Sequence, residues 1–295
     1  MHYRKLWLGL LTVLGLARKG FFIPYRFADT LPTPGSVPSY SIIEDLFEKA
    51  SPIFETVLAD ASKFSSDLKA IDGQSPPEPK WTQSWFPTLD AAIAYTLVRT
   101  QKPKRIIEIG SGHSTRFLFR AAKDGAQNTH ITAIDPEPSR GVENLNIDFH
   151  PNTIREIDLK IFESLRFGDI LFIDSSHVVV PGSDVDDLIN RIIPSLPVGI
   201  LIHIHDIFLP DDYPPEWDWR GYNEQQIIAP LLTSGAYQAI FSSHYLATRM
   251  GDKIKNSLIS DLPNLDDGLP SSLWLKKLLL WFCRHRIDLG LGAIL

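Results

Sequence analysis

Residues 105–115 read Arg-Ile-Ile-Glu-Ile-Gly-Ser-Gly-His-Ser-Thr, and this stretch decides the fold. Its isoleucines form a short β-branched run that is typical of a buried strand. Gly110 and Gly112 then allow a tight turn, and Ser114 or Thr115 can cap the helix that follows. The sequence therefore predicts a strand, a glycine turn and a helix whose first N–H groups face a polar, nucleotide-like ligand.

The turn alone leaves the identity of the ligand open. A dinucleotide-binding turn has a third glycine where this chain has Thr115, which counts against a nicotinamide-dependent oxidoreductase. Glu108 lies two residues before the first glycine, and Glu-x-Gly-x-Gly resembles the first motif of class I S-adenosylmethionine-dependent methyltransferases. The resemblance implies that the cofactor is held by Glu108, Gly110, Ser111, Gly112 and Ser114. From this motif by itself, a strand, turn and helix without any ligand remain the alternative.

Composition limits the class of protein. The 295 residues are 44% hydrophobic and 22% charged, which is ordinary for a globular chain and unlike a disordered or many-span membrane protein. The formal net charge of -6 gives no general attraction to nucleic acid. Cys283 is the only cysteine, which excludes an intrachain disulfide and a multi-cysteine metal site, so a reducing, cytoplasmic location is expected.

Both ends of the chain carry apolar runs with basic residues. Residues 6–17 follow a basic start in the order of a signal peptide, but Arg18 and Lys19 stand where a cleavage site would lie. This run is too short to span a bilayer comfortably as a helix. We expect it to dock on protein or to lie on a membrane surface, and residues 273–286 leave the same choice. Peripheral contact at the inner face of the membrane and formation of a homo-oligomer both stay open.

Strand and helix patterns alternate after residue 80. Residues 1–79 are predicted to form a helical and irregular extension, with a break between two helices at Pro52, and residues 277–295 an apolar and basic tail. Residues 80–276 predict an α/β domain with a doubly wound, mostly parallel, seven-stranded Rossmann-like sheet. The predicted helices are 87–100, 114–123, 183–193 and 223–232. The predicted strands are 105–109, 130–134, 153–157, 169–173, 199–205, 237–241 and 273–275.

Acidic residues follow the second and third predicted strands. Asp135 ends the second strand, where a carboxylate can accept hydrogen bonds from the ribose hydroxyls of an adenosine-type ligand. An acid at this place suits S-adenosylmethionine and a nicotinamide cofactor alike, and a solvated turn acid before Pro136 is the alternative. The resemblance to class I methyltransferases also implies that Asp158, after the third predicted strand, contacts the adenine half of the cofactor.

A second group of polar residues follows the fourth and fifth strands. Asp174 and His177 come after one apolar run and His205 and Asp206 after the next, while His203 is expected to be a hydrogen-bonded core residue. Neighbouring strands lie about 4.8 Å apart, so the four side chains beyond the strands are expected to come close together. The carboxylates of Asp174 and Asp206 can hold Mg²⁺ through oxygen, and His177, His205 and Asp206 are candidate catalytic acids and bases without a metal.

These two strands make the resemblance more specific. Phe-Ile-Asp-Ser-Ser-His at 172–177 and Ile-His-Asp-Ile at 204–207 resemble methyltransferase family 24, and are similar to the metal-assisted O-methyltransferases that modify macrolide sugars. The match covers roughly residues 80–245, and Pro-Val-Gly at 197–199 replaces the usual Gly-Gly before strand five. The resemblance implies an enzyme that methylates a hydroxyl of a small, sugar-containing molecule.

The loop at residues 209–220 is predicted to cover the acceptor. Tyr213, Trp217 and Trp219 offer flat apolar surface and Arg220 can meet an anionic group. A structural loop whose aromatic side chains simply pack is the alternative. For the whole chain, two other functions stay open, a nicotinamide-dependent oxidoreductase and a non-catalytic protein that binds a cofactor or associates with a membrane.

Overall fold

The computed structural model describes residues 2–73, 75–138, 141–265 and 268–279. Most of the predicted C-terminal tail, residues 280–295, lies outside this part of the chain, and so does Cys283 within it. In the described ranges, no helix has both the length and the apolar character needed to cross a membrane.

Seven strands of the described chain form one sheet. The strands are β1 Arg105–Ile109, β2 His130–Ile134, β3 Asp148–His150, β4 Ile170–Ile173, β5 Leu201–Ile204, β6 Tyr237–Ser242 and β7 Leu273–Lys277. Their order is β3-β2-β1-β4-β5-β7-β6, with β7 antiparallel to both of its neighbours and the other pairs parallel. The predicted α/β class and its mostly parallel, seven-stranded sheet are confirmed.

Helices accompany the sheet along the chain. They are α1 His2–Val13, α2 Ser41–Asp60, α3 Ser65–Lys69, α4 Thr88–Gln101, α5 His113–Asp124, α6 Asp184–Asp187, α7 Ile193–Ser195, α8 Gln225–Thr233, α9 Ser243–Arg249 and α10 Gly251–Lys255. A π-helical turn, Leu188–Ile192, joins α6 to α7. Short 3₁₀ turns are Ala28–Thr30, Ala61–Phe64, Val142–Asn144, Ile154–Glu156, Leu159–Ser164, Pro215–Arg220 and Leu258–Asp261.

The central strands are buried on both faces and mostly apolar. Ile107 pairs with Leu171, and Leu171 pairs with Ile202, and all three side chains are buried. Continuous apolar strands are what a parallel sheet covered on both sides requires. Strand order runs outward from β1 in both directions, to β2 on one side and β4 on the other. This reversal opens a crevice beyond the carboxyl ends of these strands, where ligands bind in open α/β sheets.

Helix α2 is continuous, so the prediction of two helices separated at Pro52 is wrong. Pro52 removes one backbone hydrogen bond from the helix interior, but buried positions continue past it at helical spacing. Phe54 packs on Phe241 of β6 and Tyr245 of α9, with ring centroids 6.0 and 6.2 Å apart. Burial of such an aromatic side chain outweighs one hydrogen bond, whose net contribution is about 1 kcal/mol. The predicted N-terminal extension thus contributes α2 to the core.

The third strand also differs from the prediction. It is β3 at Asp148–His150, not residues 153–157, and it pairs with β2 over three residues only. The apolar signal at 153–157 came from Ile154 and Ile157. Ile154 is buried in a 3₁₀ turn, and Ile157 packs on the core from the end of that turn.

Substitutions on α2 test whether this helix belongs to the core. We expect Phe54→Ala to lower the free energy of unfolding by about 3–5 kcal/mol, because it leaves a cavity among aromatic rings. Ile42→Ala, on the same helix but 70% exposed, should change it by less than about 0.5 kcal/mol. Urea denaturation followed by circular dichroism measures both. Equal, small effects would mean that α2 does not share the sheet's core.

Candidate active site

One cleft lies at the carboxyl ends of β1, β2, β4 and β5. Its volume is about 710 Å³, which is in the range of small-molecule sites. Among the predicted site residues, those in its wall are Gly110, Ser111, Asp135, Asp174, His177, His205 and Asp206. Those outside its wall are Glu108, Gly112, Ser114 and Asp158.

The glycine turn packs directly on the end of β4. Gly110 has a φ of 81°, and a Cβ at this position would lie 2.1 Å from the carbonyl oxygen of Asp174. Gly110 N–H donates to Ile134 O at 3.0 Å, and Asp174 N–H donates to Ile109 O at 2.8 Å. A side chain is therefore excluded at position 110 by both backbone conformation and space.

Thr115 caps the start of α5. Its Oγ1 accepts a hydrogen bond from the Gly112 N–H at 2.9 Å. The residue that replaces the third glycine of a dinucleotide turn therefore satisfies one of the free N–H groups at the helix start.

Glu108 and Ser114 bind each other instead of facing the cleft. The Ser114 hydroxyl donates to Glu108 Oε1 at 2.6 Å, while Glu108 Oε2 is buried without a hydrogen-bond partner in the described part of the chain. Burial raises the pKa of Glu108 to about 8, although hydrogen bonds from Ser114 and Thr115 oppose the shift. The acid of the first motif thus links β1 to the first turn of α5, and it does not line the cleft.

Asp135 supports the glycine turn and also lines the cleft. Its Oδ2 accepts hydrogen bonds from the Ser111 N–H at 2.7 Å and the Ser111 hydroxyl at 2.8 Å, and its Oδ1 accepts from the Glu137 N–H at 2.8 Å. A carboxylate oxygen has about two acceptor positions. Oδ1 therefore keeps room for one more donor, such as a ligand hydroxyl.

Asp158 lies away from the cleft wall. Its Oδ1 accepts from the Lys160 N–H at 3.0 Å and caps a 3₁₀ turn. The wall beside Asp135 is formed instead by Asn152, Thr153, Ile154 and Arg155. The misplaced third strand explains the difference, because the residues that follow the true β3 are 151–155 and not Asp158.

Two imidazoles and four carboxylates meet beyond β4 and β5; Asp90, Asp174, His177, His205, Asp206 and Glu224 are called the acid–imidazole cluster below. His177 Nδ1 lies 2.9 Å from Glu224 Oε2. Its Nε2 lies 3.3 Å from Asp174 Oδ1 and 3.4 Å from Asp206 Oδ2. Glu224 therefore fixes one ring nitrogen and leaves the other facing both aspartates.

His205 has a parallel arrangement. Its Nδ1 lies 3.3 Å from Asp206 Oδ1 and 3.6 Å from Asp174 Oδ1. Its Nε2 lies 3.5 Å from Asp90 Oδ2, a carboxylate of α4 that also accepts the N–H groups of Ser271 and Ser272. Each imidazole thus stands between one buried acid and the Asp174–Asp206 pair.

The carboxylates keep the two imidazoles protonated. Burial lowers the pKa of His177, but hydrogen bonds to Asp174 and Glu224 and the charge of Asp206 raise it well above its usual value. Burial also lowers the pKa of His205. The charges of Asp206 and Asp174 outweigh this effect and raise the pKa well above its usual value. Burial raises the pKa of Asp174, yet His205 and His177 lower it overall. These directions favour a network of imidazolium and carboxylate groups, in which the side chain of Asp174 is 38% exposed and those of His177 and His205 are buried.

Two cluster residues have a left-handed backbone. His177 has a φ of 58° and Asp206 a φ of 57°, conformations that cost energy for residues other than glycine and gather at functional sites. Strand alternation would send the side chains of His205 and Asp206 to opposite faces. Because β5 ends at Ile204 and Asp206 is left-handed, the two side chains instead come together.

Sequence reasoning missed Asp90 and Glu224. Glu224 falls at the start of the predicted helix 223–232 and immediately precedes α8, but its side chain is buried against His177. Asp90 lies in α4, more than a hundred residues from its partner His205. The sequence did carry a signal for Asp90, which is the lone acid in the apolar run at 89–98. A carboxylate buried with such a run requires a polar partner.

His203 is a core residue, as predicted. Its Nε2 lies 2.8 Å from Ser272 Oγ, and its ring stacks on Phe172 with centroids 3.6 Å apart. Burial and the nearby charge of His205 lower the pKa of His203 well below its usual value. It therefore stays neutral and does not join the cluster's charges.

The geometry of the described residues does not fit a metal ion. Among them, no group of three or more His, Cys, Asp or Glu side chains has an arrangement that could hold one. The carboxylate oxygens of Asp174 and Asp206 face imidazole nitrogens at 3.3 to 3.6 Å, and do not converge on a shared cation position. Metal binding would require these rings to lose their protons or to move.

Aromatic residues and one arginine form the outer wall of the cleft. Trp217, Arg220 and Tyr222 line it, whereas Tyr213 and Trp219 do not. The guanidinium of Arg220 lies 3.9 Å from the ring centroid of Trp217, and its Nη1 donates to the Tyr222 hydroxyl at 3.0 Å. Its Nε is buried without a hydrogen-bond partner in the described structure. The wall thus combines flat apolar surface with a donor available to an anion.

A sequence comparison identifies the central part of this fold. Residues 107–207 match the model of a family described as a methyltransferase domain. The match runs from β1 to just beyond Asp206 and so spans both halves of the cleft. No curated protein matches the chain at a significant level.

Solved structures of methyltransferases are similar to the chain. The O-methyltransferase TomG from Streptomyces achromogenes, involved in tomaymycin synthesis and solved with SAM, is 16% identical over 75% of this chain and 90% of its own, with a TM-score of 0.41. An O-methyltransferase from Bacillus cereus, solved with SAH, is 14% identical over 83% and 93%, with a TM-score of 0.40. A SAH-bound methyltransferase from Podospora anserina is 14% identical over 88% and 99%, with a TM-score of 0.39.

Two glycines with similar φ angles separate backbone strain from crowding. Gly168 has a φ of 85° and nothing within 4 Å of an added Cβ, so Gly168→Ala should lower stability by about 1–2 kcal/mol. Gly110→Ala adds a clash with the Asp174 backbone and should cost more than about 3 kcal/mol. Chemical denaturation of both variants measures the difference. Equal costs would show that the close approach at Gly110 does not exist.

The buried acid predicts a dependence of stability on pH. Glu108 stays protonated in the folded chain up to a pH of about 8, whereas in the unfolded chain it ionises near its ordinary pKa of about 4.3. The folded state therefore binds more protons in this window, and stability falls as pH rises, by at most about 1.4 kcal/mol per unit. Glu108→Gln should remove this slope, so the variant gains stability relative to the parent between about pH 5 and pH 8.

Denaturation curves at several pH values measure this effect. Glu163→Gln, at an exposed position, controls for the loss of one negative charge. Parallel pH profiles for the parent and Glu108→Gln would contradict the account of Glu108 as a buried, protonated acid.

Proposed function

We propose that this chain, which carries a class I methyltransferase domain over residues 107–207, transfers a methyl group from S-adenosylmethionine to a hydroxyl oxygen of a small molecule. The observation that carries the proposal is that Asp135 lines the same cleft as four members of the acid–imidazole cluster, Asp174, His177, His205 and Asp206. Methyl transfer to oxygen needs a site that orients the donor and a nearby group that takes a proton. The domain match favours S-adenosylmethionine over a nicotinamide cofactor.

Asp135 and the glycine turn form the donor side in this proposal. Oδ1 of Asp135 would accept a hydrogen bond from a ribose hydroxyl, and the Gly110–Ser111 backbone would form the surface that holds the remainder of the cofactor. When bound, S-adenosylmethionine supplies a methyl group on a positively charged sulfur atom. The carboxylates of Asp174 and Asp206 provide negative charge in the same cleft, which favours binding of that cation.

Asp206 is the best-placed proton acceptor. Asp174 and Asp206 both lie between the rings of His177 and His205. The two rings hold the pKa of Asp174 well below its usual range, so we assign the hydroxyl proton to Asp206 as the new carbon–oxygen bond forms. Asp206 also accepts a hydrogen bond from Ser271 Oγ at 3.2 Å, which orients it. The two imidazolium rings then stabilise the acceptor oxygen while it loses its proton.

Glu224 and Asp90 act through the imidazoles. Each lies beside the ring nitrogen that faces away from the Asp174–Asp206 pair: Glu224 is within hydrogen-bond distance of His177 Nδ1 at 2.9 Å, and Asp90 lies 3.5 Å from His205 Nε2. Such acids set the orientation of an imidazole and stabilise its charged form. We therefore assign them as positioning residues.

The outer wall suggests the chemistry of the acceptor. Trp217 and Tyr222 suit a ring or sugar face, and Arg220 offers its guanidinium to an anionic group. The sugar-containing acceptor, the cytoplasmic location and a homo-oligomeric state are predictions from the sequence. The family resemblance implied Mg²⁺ at Asp174 and Asp206, but the geometry of the described residues does not fit a metal ion, and the proposed reaction does not use one.

Calorimetry tests the donor site. We expect the chain to bind S-adenosylmethionine and S-adenosylhomocysteine, and Asp135→Ala to weaken binding at least about tenfold, because it removes a hydrogen-bonding carboxylate. Asp158→Ala is the matched control and should bind like the parent, since Asp158 lies outside the cleft wall. Absence of binding, or tighter binding of NAD⁺, would overturn the proposal.

Transfer of a labelled methyl group to acceptors in a cell extract tests the reaction. Asp206→Asn should slow turnover by about 10²- to 10⁴-fold with little change in S-adenosylmethionine affinity. EDTA should leave the parent's turnover unchanged; loss of turnover that Mg²⁺ restores would show that a cation binds after the imidazoles rearrange. A product methylated on nitrogen or carbon would contradict transfer to a hydroxyl.

A further inference from the structure

The N-terminal segment, residues 2–31, exposes an unusual amount of apolar surface. Thirteen of the 21 large apolar side chains that are exposed in the described part of the chain lie in this segment. In α1, Trp7 is 62% exposed and Leu6 61% exposed, and after the helix Phe22 and Ile23 are each 70% exposed. Contiguous apolar surface of this kind marks contact with a partner or a membrane.

The same segment is basic in an acidic chain. It contains five basic residues and one acidic residue, whereas the whole chain has a formal net charge of -6. Arg4 and Lys5 lie in the first turn of α1, Arg18 and Lys19 follow the helix, and Arg26 lies among the aromatic residues that come next. Apolar surface flanked by positive charge is complementary to a bilayer with anionic headgroups.

The length of α1 determines how it can meet a bilayer. With 12 residues it is about 18 Å long, well short of the roughly 30 Å hydrocarbon core. Tyr3, Trp7, Phe21, Phe22, Tyr25 and Phe27 are aromatic and exposed. Aromatic side chains prefer the headgroup region, so a helix lying in the plane of the interface accounts for the composition.

We propose that the N-terminal segment docks this chain on an anionic membrane surface. A second copy of the chain is a poorer occupant of the segment, since pairing two segments would bring ten basic residues together around the apolar contact. Anionic lipid neutralises these charges and covers the apolar side chains at the same time.

The residues that follow the N-terminal segment contact the loop that forms the acceptor side of the cleft. The Tyr40 N–H donates to Pro210 O at 2.8 Å, and Gly35 packs so closely on Pro215 that a Cβ would lie 2.3 Å from its ring. Pro215 begins the 3₁₀ turn that carries Trp217 and Arg220 into the cleft wall. Resting on the proposed function, this continuity names the acceptor class: an amphipathic molecule that enters the cleft from the bilayer with its anionic group toward Arg220.

Vesicle co-sedimentation of the full chain tests the docking. We expect binding to vesicles of phosphatidylcholine mixed with phosphatidylglycerol to be at least about tenfold stronger than to phosphatidylcholine alone. Arg18→Gln with Lys19→Gln should weaken binding to the mixed vesicles at least about tenfold, and Leu10→Glu should weaken it similarly by adding a charge to the apolar surface. Lys253→Gln with Lys255→Gln, on the exposed helix α10, is the matched control and should bind like the parent.

Equal binding to both vesicle types, or unchanged binding by Leu10→Glu, would overturn the proposal. A dimer in sedimentation velocity that Leu10→Glu dissociates, without preference for anionic vesicles, would show that a second copy covers the segment. Calorimetry with S-adenosylmethionine on the same samples separates the two proposals. Vesicle binding without cofactor binding contradicts the proposed function only, and cofactor binding without vesicle binding contradicts the docking only.

Discussion

The close approach of Gly110 to the carbonyl of Asp174 is the contact on which the site depends. It joins the turn after β1 to the end of β4, and the hydrogen bonds from Gly110 to Ile134 and from Asp174 to Ile109 hold three strands in register around it. Asp135 on one side and His177 on the other are thereby fixed relative to each other. Any side chain at position 110 would separate the two halves of the cleft.

Charge balance is the second constraint. Four buried or partly buried carboxylates surround two imidazoles, and isolated buried charges would be costly. Protonation of His177 and His205 offsets part of this charge. A site of this kind suits a positively charged donor better than a neutral one, and the left-handed backbone at His177 and Asp206 is the strain that the fold accepts to assemble it.

The elements predicted well were those whose local sequence has one interpretation. The β-branched run before Gly110 and the apolar runs before Asp174 and His205 became β1, β4 and β5, and the acid after β2 became a wall of the cleft. β3 was misplaced because it is only three residues long, and the short alternation of Leu145, Ile147 and Phe149 is no stronger a signal than the isoleucines at 154 and 157. Its pairing with β2 distinguishes the two stretches. Local patterns carry no information about such pairing.

Contacts distant in sequence explain the other differences. The helix-breaking tendency of Pro52 is overcome by aromatic packing with β6 and α9, and the partnership of Asp90 with His205 depends on the complete fold. Glu108 carries the family motif, yet strand direction turns its side chain toward Ser114. In each case the residue type was visible in the sequence, but its neighbour was not.

A crystal structure with S-adenosylhomocysteine bound tests the central claim most directly, because it locates the donor relative to both halves of the cleft. The account predicts a ribose hydroxyl within hydrogen-bond distance of Asp135 Oδ1, and the sulfur atom on the side of the cleft that holds Asp174 and Asp206. An adenosine group bound elsewhere, or a sulfur atom directed away from the acid–imidazole cluster, would contradict it.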